Sequence, residues 1–117
     1  MTGKVYFGFA LADSMFAGNC NIRRSVLTAE QVKRDVELGI VEACLNPSHE
    51  ATIKAMRSRF GIDIAIPPAP PRVLVGPGDA VIVMGVRGLP RLTDRHEYTD
   101  TEIAQATFEF AEYSVGF

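Results

Sequence analysis

The order in which strand-like runs and capped helix starts follow one another constrains the fold of this chain more than any other feature. Lys4-Val5-Tyr6-Phe7-Gly8-Phe9-Ala10 is rich in aromatic and β-branched residues and reads as a first strand. Asp13, Ser14, Gly18 and Asn19 mark a loop, and Asn21 to Leu27 reads as a short second strand. Thr28-Ala29-Glu30-Gln31 has the spacing of a capping box, so a helix starts there and stops near Gly39. Ile40 to Leu45 is a strand candidate. Asn46-Pro47-Ser48-His49 then opens a second helix, with Asn46 as N-cap and Pro47 at the first helical position. Ile53, Met56 and Phe60 give that helix one apolar face, and Gly61 stops it.

Ile62 to Ile66 reads as a further short strand, and Pro67-Pro68-Ala69-Pro70-Pro71 as a stiff connector too short to link domains. Arg72 to Val75, the turn Gly76-Pro77-Gly78-Asp79 and Ala80 to Val86 together predict a β-hairpin. Arg87 to Arg95 is a basic loop. Thr99-Asp100-Thr101-Glu102 repeats the capping-box spacing and predicts a third helix, and Thr107 to Val115 closes the chain as a strand. These elements predict an α+β domain of α/β-like order: a single mixed β-sheet of about five or six strands, flanked by helices, over residues 1–117.

Composition narrows the function. At 117 residues and 12.8 kDa the chain suffices for one core, and its 47% hydrophobic content is that of a globular protein. A net charge of -2 disfavours a coat for duplex nucleic acid, which needs a broad basic surface, yet leaves room for a local basic pocket. Apolar runs such as Ala80 to Val86 fall far short of a membrane span. The opening Met1-Thr2-Gly3-Lys4 has no signal-peptide layout, which predicts a cytoplasmic chain. Cys20 and Cys44 show no CxxC spacing and read as two reduced, half-buried thiols.

Much familiar chemistry is missing. Gly76-Pro77-Gly78 precedes a strand and is a turn rather than a Walker loop. There is no HExxH, no EF-hand loop and no cysteine–histidine metal spacing, so neither a metal nor a cofactor is expected. His49 remains. It sits one or two residues into a helix that follows directly on a strand, and open sheets place ligands at such strand ends. Free N–H groups and the helix dipole there favour an anion, most simply a phosphate. A histidine beside a phosphate can serve as general acid or base near neutral pH; a cap or a solvated residue would read the same in sequence. Arg72 heads a strand, and Arg87, Arg91 and Arg95 crowd one loop, which suits phosphate recognition and equally suits a solvated basic loop. His96, beside Glu97 in a charged stretch, reads as a surface residue.

Taken in order, these residues resemble the viral ring-nuclease family, the type III anti-CRISPR fold of archaeal viruses with bacterial relatives on mobile elements. The family pattern is a helix start of the form His49-Glu50-Ala51-Thr52, then an arginine heading the next strand, as Arg72 does. A glycine–aspartate turn follows, here Gly78-Asp79, and then an arginine–leucine pair, here Arg91-Leu92. The resemblance implies destruction of cyclic tetra-adenylate, the second messenger of type III CRISPR complexes, without a metal. By position it implies His49, Arg91 and Asp94 as the catalytic set and Arg72, Arg87, Ser14, Asn46 and Ser48 as ligand contacts. Arg87 and Arg91 both fit the phosphate-arginine position. The chain departs from the pattern at Ser48, where the family often has glycine. It departs again at Phe9-Ala10-Leu11-Ala12, where an Asn-Ala-Phe-Ser stretch is usual and the serine contact shifts to Ser14.

The implied reaction is attack by a ribose 2′-hydroxyl on its neighbouring phosphate. Positioning and arginine stabilisation do most of the work, and His49 protonates the departing 5′-oxygen. The product is linear di-adenylate ending in a 2′,3′-cyclic phosphate. A two-fold ring read by one histidine per chain implies a homodimer, and the role is to antagonise or tune CRISPR signalling. The sequence leaves two other readings open: a nucleotide-binding sensor or sponge that does not cut, and a structural interaction protein of a virus or plasmid.

Overall fold

The computed structural model describes residues 3–16, 18–45, 49–68, 73–93 and 95–116. Among them lie five strands in one mixed sheet: β1 (Val5–Gly8), β2 (Asn21–Leu27), β3 (Val41–Ala43), β4 (Ala80–Arg87) and β5 (Thr107–Gly116). Their order is β2-β5-β4-β1-β3, with β4, β1 and β3 parallel and β5 antiparallel to both β4 and β2. Three helices complete the α+β fold: α1 (Ala29–Glu37), α2 (Glu50–Phe60) and α3 (Asp100–Gln105). None is long and apolar enough to cross a membrane.

Local chemistry sets the helix ends. Thr28 and Thr99 each accept the N–H of the residue three on, Gln31 or Glu102, whose side chain returns to the cap backbone. Both capping boxes form as the sequence predicts. α2 ends at Gly61, whose φ of 70° is a left-handed value that favours glycine. The carbonyls at the end of α3 are satisfied from outside the helix. The Arg59 guanidinium donates to the oxygens of Ile103 (2.7 Å), Ala104 (3.2 Å) and Ala106 (3.0 Å), joining the C-terminal ends of two helices.

The main core lies between the helices and one face of the sheet. Phe7, Val32, Leu45, Ile53, Met56, Ile62, Ile82, Met84 and Phe110 are buried there. A smaller cluster on the opposite face joins Tyr6, Val81 and Val115 to Val73 and Val75, with Met15, Phe16 and Cys20 packed against it.

Two expected elements take other forms. The expected hairpin does not form: Val75 makes one isolated parallel bridge to Phe16, and β4 pairs with β1 and β5 instead. Arg72, which would head that hairpin, lies outside the described residues. The turn at Gly76–Asp79 does form, so the local chemistry reads correctly and only the partner differs. Ile62–Ile66 is extended but joins no ladder. Its alternation puts Ile62 and Ile64 into the helix-face core while Asp63 and Ala65 stay exposed.

Asp79 fixes the register at the amino ends of the parallel strands. One carboxylate oxygen accepts the backbone N–H of Lys4 at 2.8 Å and the other that of Gly76 at 2.9 Å. The backbone of Asp79 also exchanges with its neighbours, since its carbonyl accepts the N–H of Val115 at 3.0 Å. Gly3 passes so close that a Cβ there would lie 2.1 Å from the Gly78 carbonyl oxygen. Asp79→Ala is expected to destabilise the chain by about 1–3 kcal/mol and Asp79→Asn by less, because the amide keeps one acceptor. Urea unfolding monitored by circular dichroism reads both, and an unchanged midpoint for the alanine variant would refute the clamp.

Candidate functional site

β1 ends at Gly8, and Phe9 follows at the carboxyl end of the parallel strands. Gly8 must be small there, because a Cβ would come within 2.8 Å of the Cys44 sulfur. Cys44 donates both its N–H (2.8 Å) and its thiol (3.1 Å) to the Phe7 carbonyl, so the chain leaving β3 is tied to the end of β1. Burial pushes the Cys44 thiol pKa up, and its own backbone hydrogen bond acts weakly the other way. The thiol is therefore a packed, protonated group with little nucleophilic character.

His49 arrives over this end from β3. Its ring packs edge-to-face on Phe9, with centroids 4.9 Å apart and planes at 72°, and Phe9 in turn packs on Phe7 at 6.1 Å. The φ of −90° and ψ of 5° place His49 just before α2, so the first helical residue is Glu50. This corrects the expectation that His49 sits inside the helix. Unlike Thr28 and Thr99, its side chain makes no capping bond to the first turn. The half-buried imidazole thus stands beside the N–H groups that open an eleven-residue helix.

The basic loop is tethered over α2 by charge. Lys54 Nζ lies 2.7 Å from Glu97 and 3.5 Å from Glu50. The Glu97 hydrogen bond holds the Lys54 pKa above its ordinary value, and the lysine holds that of Glu97 below. Further on, Arg95 meets both oxygens of Glu102 at 2.6 and 2.5 Å. That fork, together with the capping bonds of Thr99, lowers the Glu102 pKa to about 2.

The other expected site residues fall in several places. Ser14 lies exposed in a 3-10 turn (Asp13–Met15) after β1, and Arg91 is exposed in the loop beyond β4. Arg87 ends β4 on the sheet face opposite the helices, where it lies 3.7 Å from Glu109, so it points away from the helix that His49 opens. Asn46, Ser48 and Asp94, like Arg72, lie outside the described residues. His96 is exposed, as expected. A cavity of about 310 Å³ lies along α2, with Glu50, Ile53, Lys54 and Arg57 facing Ile64 and Ile66; His49 is not in its wall. Among the described residues, no three His, Cys, Asp or Glu side chains gather as a metal-binding group.

Sequence reasoning missed Phe9 as the surface on which His49 rests. Its only signal is alternation with Phe7. It also missed the Lys54–Glu97 tether, whose members are separated by the β4 strand and its loops.

The fold and this strand-end histidine define a mixed α+β sheet protein with a candidate anion site at the carboxyl ends of its parallel strands. No protein-family model matches the chain, and no curated protein sequence matches it. Among solved structures the fold is shared with B116 of Sulfolobus turreted icosahedral virus, at 20% identity and a TM-score of 0.70. The match covers 96% of this chain and 99% of that one, so the likeness is of the whole architecture.

The Glu102 ion pair gives a pH prediction. Because folding lowers the carboxyl pKa from 4.5 to about 2, the stabilisation is full above about pH 5 and vanishes as pH falls toward about 2. In Glu102→Gln the capping box survives but the charge does not. The difference in melting temperature between wild type and variant should therefore be largest near neutral pH and shrink in acid; a difference that does not change with pH would contradict the pairing.

Proposed function

We propose that this protein is a metal-independent phosphodiesterase that opens cyclic tetra-adenylate to linear di-adenylate bearing 2′,3′-cyclic phosphates. Its biological effect would be to antagonise or tune type III CRISPR signalling in the cytoplasm of a host cell. The observation that carries the reading is the placement of His49. It packs on Phe9 at the carboxyl end of β1, beside the opening N–H groups of α2. The ordered resemblance to ring nucleases and the fold shared with a viral protein support the same reading.

In this mechanism a scissile phosphate sits at the start of α2, where the helix dipole and N–H groups favour its charge. Lys54 offsets the nearby Glu50 carboxylate. The ribose 2′-oxygen attacks phosphorus in line and sheds its proton to solvent. The bond from phosphorus to the 5′-oxygen breaks, and His49 delivers a proton to that oxygen. An arginine stabilises the phosphorane. Arg91 fits this role better than Arg87, because Arg87 faces Glu109 on the other side of the sheet. Asp94, Arg72, Asn46, Ser48 and Ser14 complete the proposed contacts, and a homodimer supplies two half-sites for one two-fold ring.

The decisive measurement is incubation of radiolabelled cyclic tetra-adenylate with the protein in EDTA, with products resolved by thin-layer chromatography. Wild type should linearise the ring, and His49→Ala should lose about 100-fold or more of the rate. An intact ring co-eluting with the protein would instead make it a sensor or sponge. No interaction at all would overturn the nucleotide reading and leave a structural interaction protein.

A further inference from the structure

The cavity of about 310 Å³ beside α2 reaches the volume at which small-molecule sites begin, roughly 300 Å³. Arg57, in the last turn of α2, pairs with Asp63 at 3.0 Å, and the extended segment runs back from there along the helix. Ile66 and Pro67 therefore share the cavity with Glu50, the first residue of α2 and the one that follows His49. The apolar wall is made by Ile53, Ile64, Ile66 and Pro67, and the rim by Glu50, Lys54 and Arg57. Alternation along the extended segment turns Ile64 and Ile66 to one side. Apart from Glu50, these residues lie outside the pattern that the chain shares with ring nucleases.

The polar groups of the rim are held in place before any ligand arrives. Asp63 fixes the Arg57 guanidinium at one end. Lys54 Nζ lies 2.7 Å from Glu97 and 3.5 Å from Glu50, so a cationic donor and an anionic acceptor stand side by side over apolar side chains. Preorganisation of that kind lowers the cost of binding. A flat base suits it. The major-groove edge of adenine sets the N7 acceptor beside the N6 amino donor. The ammonium has three N–H donors and can serve N7 while keeping Glu97, and the Glu50 carboxylate accepts from N6. Guanine sets two acceptors on the same edge, N7 and O6, and its O6 would face that carboxylate.

We infer that this cavity is the base subsite of the site that His49 opens, and that it takes the adenine of the nucleotide whose phosphate lies at the first turn of α2. The apolar wall receives the ring faces, and Glu50 and Lys54 read the edge. The inference rests on the nucleotide reading of the proposed function and adds to it the residues that select the base.

Nuclear magnetic resonance titrations of the isotope-labelled full chain test it, with adenosine 5′-monophosphate, guanosine 5′-monophosphate and ribose 5-phosphate as probes. The adenine nucleotide should bind about 10-fold or more tighter than either of the others. The amides of Ile53, Lys54 and Ile66 should shift with it and not with ribose 5-phosphate. Ile66→Trp fills the cavity with an indole, and Lys54→Met keeps the aliphatic stem but removes the donor. Each should bring the adenine nucleotide to within about 2-fold of ribose 5-phosphate. In cleavage of cyclic tetra-adenylate both should raise KM about 10-fold with kcat little changed, because the base is held alike in ground and transition states. Circular dichroism melts check that both variants fold. Equal affinity for the adenine nucleotide and ribose 5-phosphate, or base-dependent shifts confined to other residues, would overturn the subsite. Equal affinity for the two nucleotides would overturn the reading of the edge by Glu50 and Lys54. If the ring is cut and KM is indifferent to both substitutions, the subsite falls while the nuclease reading stands. Adenine held here by a chain that leaves the ring uncut keeps the subsite and sinks only the cleavage.

Discussion

The carboxylate of Asp79 is the constraint on which the rest of the sheet depends. β1 is four residues long and parallel to both its neighbours, so its own ladder fixes its register weakly. Asp79 removes that freedom by holding the N–H of Lys4, just before β1, and that of Gly76, in the turn before β4. Val5 then lies opposite Ala80 and Gly8 opposite Val83. A slip of one residue would carry Phe7, wholly buried beneath the helices, to the other face. The glycine–aspartate turn thus acts at the end of the sheet opposite His49. It contributes to the site by setting where the strands end.

That register shapes the carboxyl end. β1 stops at Gly8 while its neighbour β4 runs on through Arg87, roughly 13 Å further at the usual rise per residue. The shorter strand leaves a step, and Phe9 and His49 occupy it. Alternation along β4 sends Ile82 and Met84 to the helix core and Arg87 to the opposite face. The two arginines that the sequence leaves interchangeable are therefore separated by strand parity. Arg87 is fixed by the ladder, and Arg91, past the left-handed Gly88 (φ 89°), is released from it.

The sequence revealed what is decided within a few residues. Thr28 with Gln31 and Thr99 with Glu102 are capping boxes because both partners lie in one turn, and Gly39 and Gly61 stop their helices by backbone conformation alone. It misled where the partner is distant. Val73–Val75 beside a glycine turn looks like half a hairpin, but the hydrogen bonds of β4 go to β1, about 75 residues earlier, and to β5. Ile62 and Ile64 alternate because an extended segment packs into the core, which needs no ladder. At the candidate site, a histidine after a strand is visible from position, whereas its seat on Phe9 depends on a β1–β3 register that no local pattern encodes. The Arg24, Glu109 and Arg87 cluster joins three strands and was invisible for the same reason.

The distribution of cations across these strands separates two tasks. Arg59 satisfies helix carbonyls, Arg95 and Lys54 are matched by Glu102 and Glu97, and Arg24 and Arg87 share Glu109. Among the described residues these cations are thus held within the fold, by carboxylates or, for Arg59, by helix carbonyls. On the proposed reading an incoming phosphate meets the first turn of α2, where Glu50 is the nearby carboxylate and Lys54 offsets it. Under the proposed function the helix face supplies the chemistry at one strand end. The opposite face gathers Arg24 and Arg87 around one carboxylate, Glu109.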